Sequence, residues 1–104
     1  MKIARTRSEA QKDVESAVLH YSGQILETSN RFIGEFKVAI NKIEKMPGIG
    51  SLRFARELDV PNLRAYSLHN FPYLIFYLER EDYVDIVRVM HSSRDIFNLL
   101  LGLE

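Results

Sequence analysis

Residues Phe71 to Asp95 read FPYLIFYLEREDYVDIVRVMHSSRD, and the fold turns on this stretch. Leu74-Ile75-Phe76-Tyr77-Leu78 is an unbroken apolar run, and a second run, rich in Val and Ile but carrying Asp85 and Arg88, extends from Tyr83 to Met90. Runs of this length, aromatic and β-branched, read as buried strands. The charged Glu79-Arg80-Glu81-Asp82 between them reads as a hairpin loop. The hairpin exits into His91-Ser92-Ser93-Arg94-Asp95, where a serine can cap a short final helix over Ile96 to Leu101. The centre of a sheet is therefore expected here, with polar chemistry at its exit.

Working outward, Lys2 to Thr6 is a strand candidate. Ser8-Glu9-Ala10-Gln11 has the form of a capping box, with Ser8 as N-cap and Gln11 reaching back. Helix one follows to about Ser22, because Ala10, Val14, Ala17, Val18 and Tyr21 fall on one face, and Gly23 closes it. Helix two is predicted from about Gln24 to Met46, with Phe32, Phe36, Ala39, Ile40 and Ile43 as its apolar stripe. Gly34 interrupts it, at a cost of about 1 kcal/mol relative to Ala, a cost that close helix packing would explain. Pro47 with Gly48 and Gly50 ends the helix, the glycines allowing positive φ. Ser51 to Asn62 is irregular or briefly helical, with a turn at Asp59-Val60-Pro61-Asn62. Leu63 to Asn70 is a further strand. The order β-α-α-β-β-β-α, with segregated helices on a mostly antiparallel four-stranded sheet, is an α+β fold. A length of 104 residues fits one domain over 1–104.

Composition narrows the function. With no cysteine there is no disulfide framework and no thiolate chemistry, which suits a reducing cytoplasm. No apolar run approaches the roughly 18–20 residues of a membrane span, and MKIARTRSEA lacks the apolar core of a secretory signal. Fourteen basic and fourteen acidic residues cancel, so no strongly basic or sequence-specific nucleic-acid binder is indicated. Six cations against three anions between Lys37 and Arg64, and four anions against one cation between Glu79 and Asp85, read most simply as two solvated faces. His20, His69 and His91 share no metal-ligand spacing. Gly48-Ile49-Gly50 follows a helix rather than a strand, so it is no phosphate loop, and Ser92-Ser93 has no nucleophile elbow. Neither metal nor cofactor is expected.

The chemistry-bearing candidates are arginines and one histidine. Arg53, Arg56, Arg64, Arg88 and Arg94 would clamp phosphate if they shared a face. Arg88 stands in an apolar period-two row with Val84, Ile86 and Met90, so it needs a partner, Asp85 or Glu57, or an opening to solvent. His91 has the residue type for proton transfer, with Asp95 or Glu57 to support its charge. A ring that merely closes the strand end is the simpler reading. Tyr66, Tyr83 and the apolar Phe97 to Leu103 offer surface to a protein partner, core packing being the simpler reading for each.

Taken together, these residues resemble the ParE/RelE superfamily of toxins from bacterial type II toxin–antitoxin pairs. The likeness rests on Ala10-x-x-Asp13, Tyr21, Phe32-x-x-x-Phe36, Ala39-Ile40, Pro47-x-x-Gly50, Leu63-Arg64, Tyr73-Leu74-Ile75-Phe76-Tyr77 and Val89-Met90-His91-Ser92-Ser93-Arg94-Asp95. RelE-like members cut mRNA on the ribosome with basic residues and an Arg on the hairpin strand. ParE-like members lack that set and poison DNA gyrase. Leu74 stands where the nuclease branch tends to carry Arg, so the ParE branch is the more similar. The resemblance implies a non-catalytic gyrase inhibitor neutralised by a ParD-like antitoxin, with Arg88, His91, Arg94 and Phe97 as contact residues. It leaves two alternatives: an mRNA endonuclease using Arg64, Arg88, His91 and Arg94, and a non-toxic relative that only binds antitoxin.

Overall fold

A computed structural model of the chain describes residues 1–94, Ile96 and Leu100. The elements are β1 (Ile3–Thr6), α1 (Ser8–Ser22), α2 (Leu26–Lys45), a short 3₁₀ turn (Pro47–Ile49), α3 (Arg53–Glu57), β2 (Arg64–Ser67), β3 (Tyr73–Glu79) and β4 (Tyr83–His91). The four strands lie in the order β1-β4-β3-β2, with β1 parallel to β4 and the other pairs antiparallel. This is the expected α+β arrangement. The final helix expected over Ile96 to Leu101 lies mostly outside the described residues. Ile96 and Leu100 are both buried, and the Leu100 N–H bonds the Ile96 carbonyl at 3.0 Å.

The two runs are apolar on both sides of the sheet because both faces of the hairpin are covered. Ile75, Tyr77, Val84, Ile86 and Val89 pack with Ala10, Ala17, Phe32, Ala39 and Ile43 of the helical hairpin. Phe76, Leu78, Val87 and Met90 pack on the opposite side with Leu63, Ala65, Val60, Ile96 and Leu100. Tyr21, Phe32, Phe71 and Tyr73 meet edge to face or tilted at 5.2–6.3 Å between ring centres, which ties both helices to the start of β3. Burying a side chain such as Phe32 contributes roughly 2–3 kcal/mol.

The register shifts between Phe76 and Tyr77. Phe76 faces Arg88, but Tyr77 faces Ile86, so Val87 is an extra residue in β4. Such a bulge changes the parity of the strand beyond it. Both sheet edges are partly covered. Glu44 at the end of α2 accepts from the β1 edge, its carbonyl from Lys2 N–H and its carboxylate from Ala4 N–H. Ser51 pairs with Ala65 along β2. Beyond Ile86, where β1 stops, the carboxylate of Asp13 takes the outward Val89 N–H at 2.9 Å.

Three local expectations need correcting. Ser8 is not the N-cap: Arg7 is, and its carbonyl accepts from Gln11 N–H at 2.9 Å. Arg7 must stay extended because its own N–H continues the β1–β4 pairing to the Ile86 carbonyl, so the helix starts one residue earlier than a Ser8 cap allows. The Ser8 hydroxyl meets Glu9 instead, and the Gln11 amide reaches only the Thr6 carbonyl at 3.5 Å. Neither Gly48 nor Gly50 has positive φ; among the described residues the left-handed ones are Asp59, Asn62 and Asn70, all in connecting segments. Gly34 serves no close packing, since an added Cβ would meet nothing within 4 Å. Gly34→Ala should therefore stabilise the chain by about 1 kcal/mol and raise Tm by several degrees in a calorimetric scan. A lower Tm would mean that an unseen contact needs the glycine.

Candidate functional site

A polar cleft of about 360 Å³ lies where α1 passes the end of β4, and Asp13, His20, Tyr73, Arg88, His91 and Arg94 line it. It gathers the sequence candidates Arg88, His91 and Arg94. Arg64 is elsewhere, on β2, separated from β4 by the whole of β3, about 10 Å away. Phe97 lies outside the described residues.

Arg88 finds neither Asp85 nor Glu57. Its Nε and Nη2 donate to the two carboxylate oxygens of Asp13 at 2.7 and 2.9 Å, a bidentate pair. Hydrogen bonding to Asp13 holds the guanidinium pKa above its ordinary value, against desolvation. The period-two row fails here because of the bulge: Val89, not Met90, joins Val84 and Ile86 on the helix side. Asp13 is a residue that composition and spacing did not single out. The available signal was its position: an acid one turn before Ala17, at the border of the apolar stripe of α1, which brings it to the edge of whatever that stripe packs against.

The expected ion partners of Arg88 are engaged elsewhere. Asp85, with its side chain 7% exposed, accepts from Arg7 Nε and Nη2 at 3.0 and 2.8 Å and from Arg80 Nε and Nη2 at 3.2 and 3.0 Å. Burial alone would raise the Asp85 carboxyl, but the hydrogen bonds from Arg7 and Arg80 outweigh it and bring the pKa below its ordinary 3.8. A depressed folded pKa stabilises at pH values above the unfolded value and loses that contribution as pH falls through the folded one. Asp85→Asn should remove about 2 kcal/mol at neutral pH, a figure held down by the partial exposure of both arginines. Urea midpoints should show the gap between wild type and variant narrowing as pH falls below the ordinary carboxylate pKa. A gap that does not narrow on acidification would rule out the carboxylate charge as its source.

Glu57 pairs with Arg53 on the surface of α3 at 3.2 Å, so it does not reach His91. Asp95 lies outside the described residues. His91 is instead held by Ser93, whose backbone N–H donates to Nδ1 at 3.1 Å, with the hydroxyl 2.7 Å from the same nitrogen. The Tyr73 ring meets the imidazole edge-on at 5.2 Å between centres. Burial raises the Tyr73 phenol pKa, while neighbouring Arg94 opposes the shift.

Arg64 is a clip. Its Nη1 donates to the carbonyls of Gly48 and Gly50 at 3.2 and 2.8 Å. Its cross-strand neighbour Tyr77 completes the clasp, its hydroxyl donating to the Pro47 carbonyl at 2.7 Å and accepting from Gly50 N–H at 2.9 Å. Arg53, Arg56 and Arg64 thus stand on α3 and β2, apart from the cleft with Arg88 and Arg94. Among the described residues no group of His, Asp or Glu side chains is placed to hold a metal ion, and no helix is long and apolar enough to cross a membrane.

A family model described as the ParE toxin of the type II toxin–antitoxin system parDE matches residues 5–96. A solved structure described as a chromosomal ParDE TA system from P. aeruginosa superposes with a TM-score of 0.75 at 17% identity, covering 89% of this chain and 98% of that one. At that identity the likeness speaks for the fold. No curated protein matches the sequence significantly.

Proposed function

Because the chain belongs to the ParE family of type II toxins, we propose that it inhibits DNA gyrase by binding it, without catalysis of its own, and that a ParD-like antitoxin neutralises it. The observation that carries this reading is the family match over residues 5–96. The site geometry supports it. A phosphate-cutting centre needs cations and a proton carrier free to meet one phosphate. Here Arg64 is committed to two backbone carbonyls and Arg88 to Asp13, which leaves Arg94 alone among the candidate arginines to meet a phosphate beside His91. Near-neutral composition suits a protein target better than the polyanionic ribosome. We place the contact surface at the exit of β4, on Arg88, His91, Arg94 and Phe97.

The test is plasmid supercoiling by purified gyrase with the folded chain titrated in. Loss of supercoiling with accumulated cleaved DNA is the expected result. His91→Gln should keep most of that inhibition, since no proton transfer is asked of the ring and the glutamine amide still offers an N–H donor to the contact. Unchanged supercoiling at high excess, with ribosome-dependent mRNA fragments after induction, would transfer the chain to the nuclease reading. Induction without growth arrest, with antitoxin binding retained, would mark a non-toxic relative.

A further inference from the structure

The cleft between α1 and the end of β4 holds more donors than its own acceptors use. Asp13 is its only described carboxylate, and that is spent on Arg88 and on the Val89 N–H. No carboxylate among the described residues pairs with the exposed Arg94 guanidinium. His91 is oriented in a defined sense. A backbone N–H can only donate, so the Ser93 N–H makes Nδ1 an acceptor and leaves the neutral ring its proton on Nε2. The imidazole therefore presents a donor on its far side. Two arginines against one aspartate give the described lining one net positive charge.

We infer that this cleft is a carboxylate-recognition site, in which Arg94 and the Nε2–H of His91 take the acidic side chain of a partner protein. Its volume of about 360 Å³ accommodates a carboxylate, its methylenes and a few waters, at about 30 Å³ each. A single surplus charge matches a carboxylate rather than a phosphate dianion. A nucleic-acid strand is disfavoured by the same geometry. Its phosphates need a continuous basic track, whereas Arg53, Arg56 and Arg64 lie on α3 and β2 outside the cleft and Asp13 lies within it. The Arg88–Asp13 pair acts as the floor, holding β4 against α1 so that Arg94 and His91 face one volume. The inference does not depend on gyrase being the target, because occupancy is read directly on the folded chain.

The full chain, isotope-labelled, is titrated by NMR with the capped tripeptide acetyl-Ala-Glu-Ala-amide, its glutamine analogue and inorganic phosphate. Saturable shifts are expected at Tyr73, His91 and Arg94 with the glutamate peptide, and none there with the glutamine peptide. Arg94→Gln should weaken binding roughly tenfold, the loss expected for one charge-assisted hydrogen bond. Arg53→Gln, on α3, should leave it unchanged. Equal binding of the glutamine peptide, tighter binding of phosphate, or an affinity unaffected by Arg94→Gln in a chain with wild-type dispersion would each overturn the assignment.

Discussion

Gly50→Ala is expected to destabilise the chain by about 3 kcal/mol, lowering Tm by roughly 10–20 °C. The backbone of Gly50 is ordinary, with φ at −73°, so the cost is one of space. An added Cβ would lie 2.7 Å from the Tyr77 hydroxyl, 2.9 Å from its ring and 3.0 Å from Arg64 Cβ. None of these atoms can yield easily. Tyr77 is fully buried between the sheet and the helical hairpin, and its hydroxyl is fastened at both ends to the turn, through Gly50 N–H and the Pro47 carbonyl. Moving the ring would strand two backbone groups, and moving the turn would break the Arg64 clip. Tyr77→Phe removes the hydroxyl alone and should cost about 2 kcal/mol, since it leaves the Gly50 N–H and Pro47 carbonyl without that partner. In the double variant the costs should fall short of additivity by about 1 kcal/mol, because the nearest clash is gone. Additive urea-denaturation energies would show that alanine is accommodated by a shift of the turn away from the ring.

That glycine illustrates where the sequence was legible and where it was not. Both hairpin strands and the covered state of the sheet follow from two largely apolar runs without strict alternation, and the helices from stripes at helical spacing. Such patterns survive because burial area dominates the energetics and depends on residue type alone. Pro47-x-x-Gly50 was readable as a helix stop, but the reason for Gly50 was not. It lies in a residue 27 positions on, and a steric veto across that distance leaves no mark on local spacing. The Ser8 cap failed for a related reason: the demand on Arg7 comes from Ile86, a strand neighbour remote in sequence.

The cleft was legible in three of its members and not in their partners. Arg88, His91 and Arg94 do meet, since they lie at one strand end and need only a correct β4 to converge. Arg64 does not join them, because its place on β2 is set by strand order, which residue spacing does not encode. Period two placed Arg88 with Val84 and Ile86. The single extra residue Val87 undoes that count, and nothing in YVDIVRVMH announces a bulge. The partner of Arg88 was sought among the near acids on the hairpin, yet the acid that reaches it is on the first helix.

Removing that acid should be among the most damaging single changes in the chain. Asp13→Ala is expected to cost about 3 kcal/mol, toward the lower end for breaking a buried pair because the Arg88 side chain keeps 25% of its exposure. Two groups lose their partner at once: a half-buried guanidinium, and the Val89 N–H on the stretch of β4 that β1 leaves uncovered. Asp13→Asn keeps one acceptor oxygen without the charge, so it should recover about half of the loss. Replacing both partners, Asp13→Leu with Arg88→Met, should recover more than either single change, since no charge is left stranded. Hydrogen exchange separates the two roles. Val89 should lose protection in every variant that lacks an acceptor at position 13, including the double one, whereas most of the lost global stability should return once the arginine is replaced as well. If Val89 stayed protected in Asp13→Ala, the edge would be covered by something other than this carboxylate. The pair would then be an ordinary salt bridge between α1 and β4.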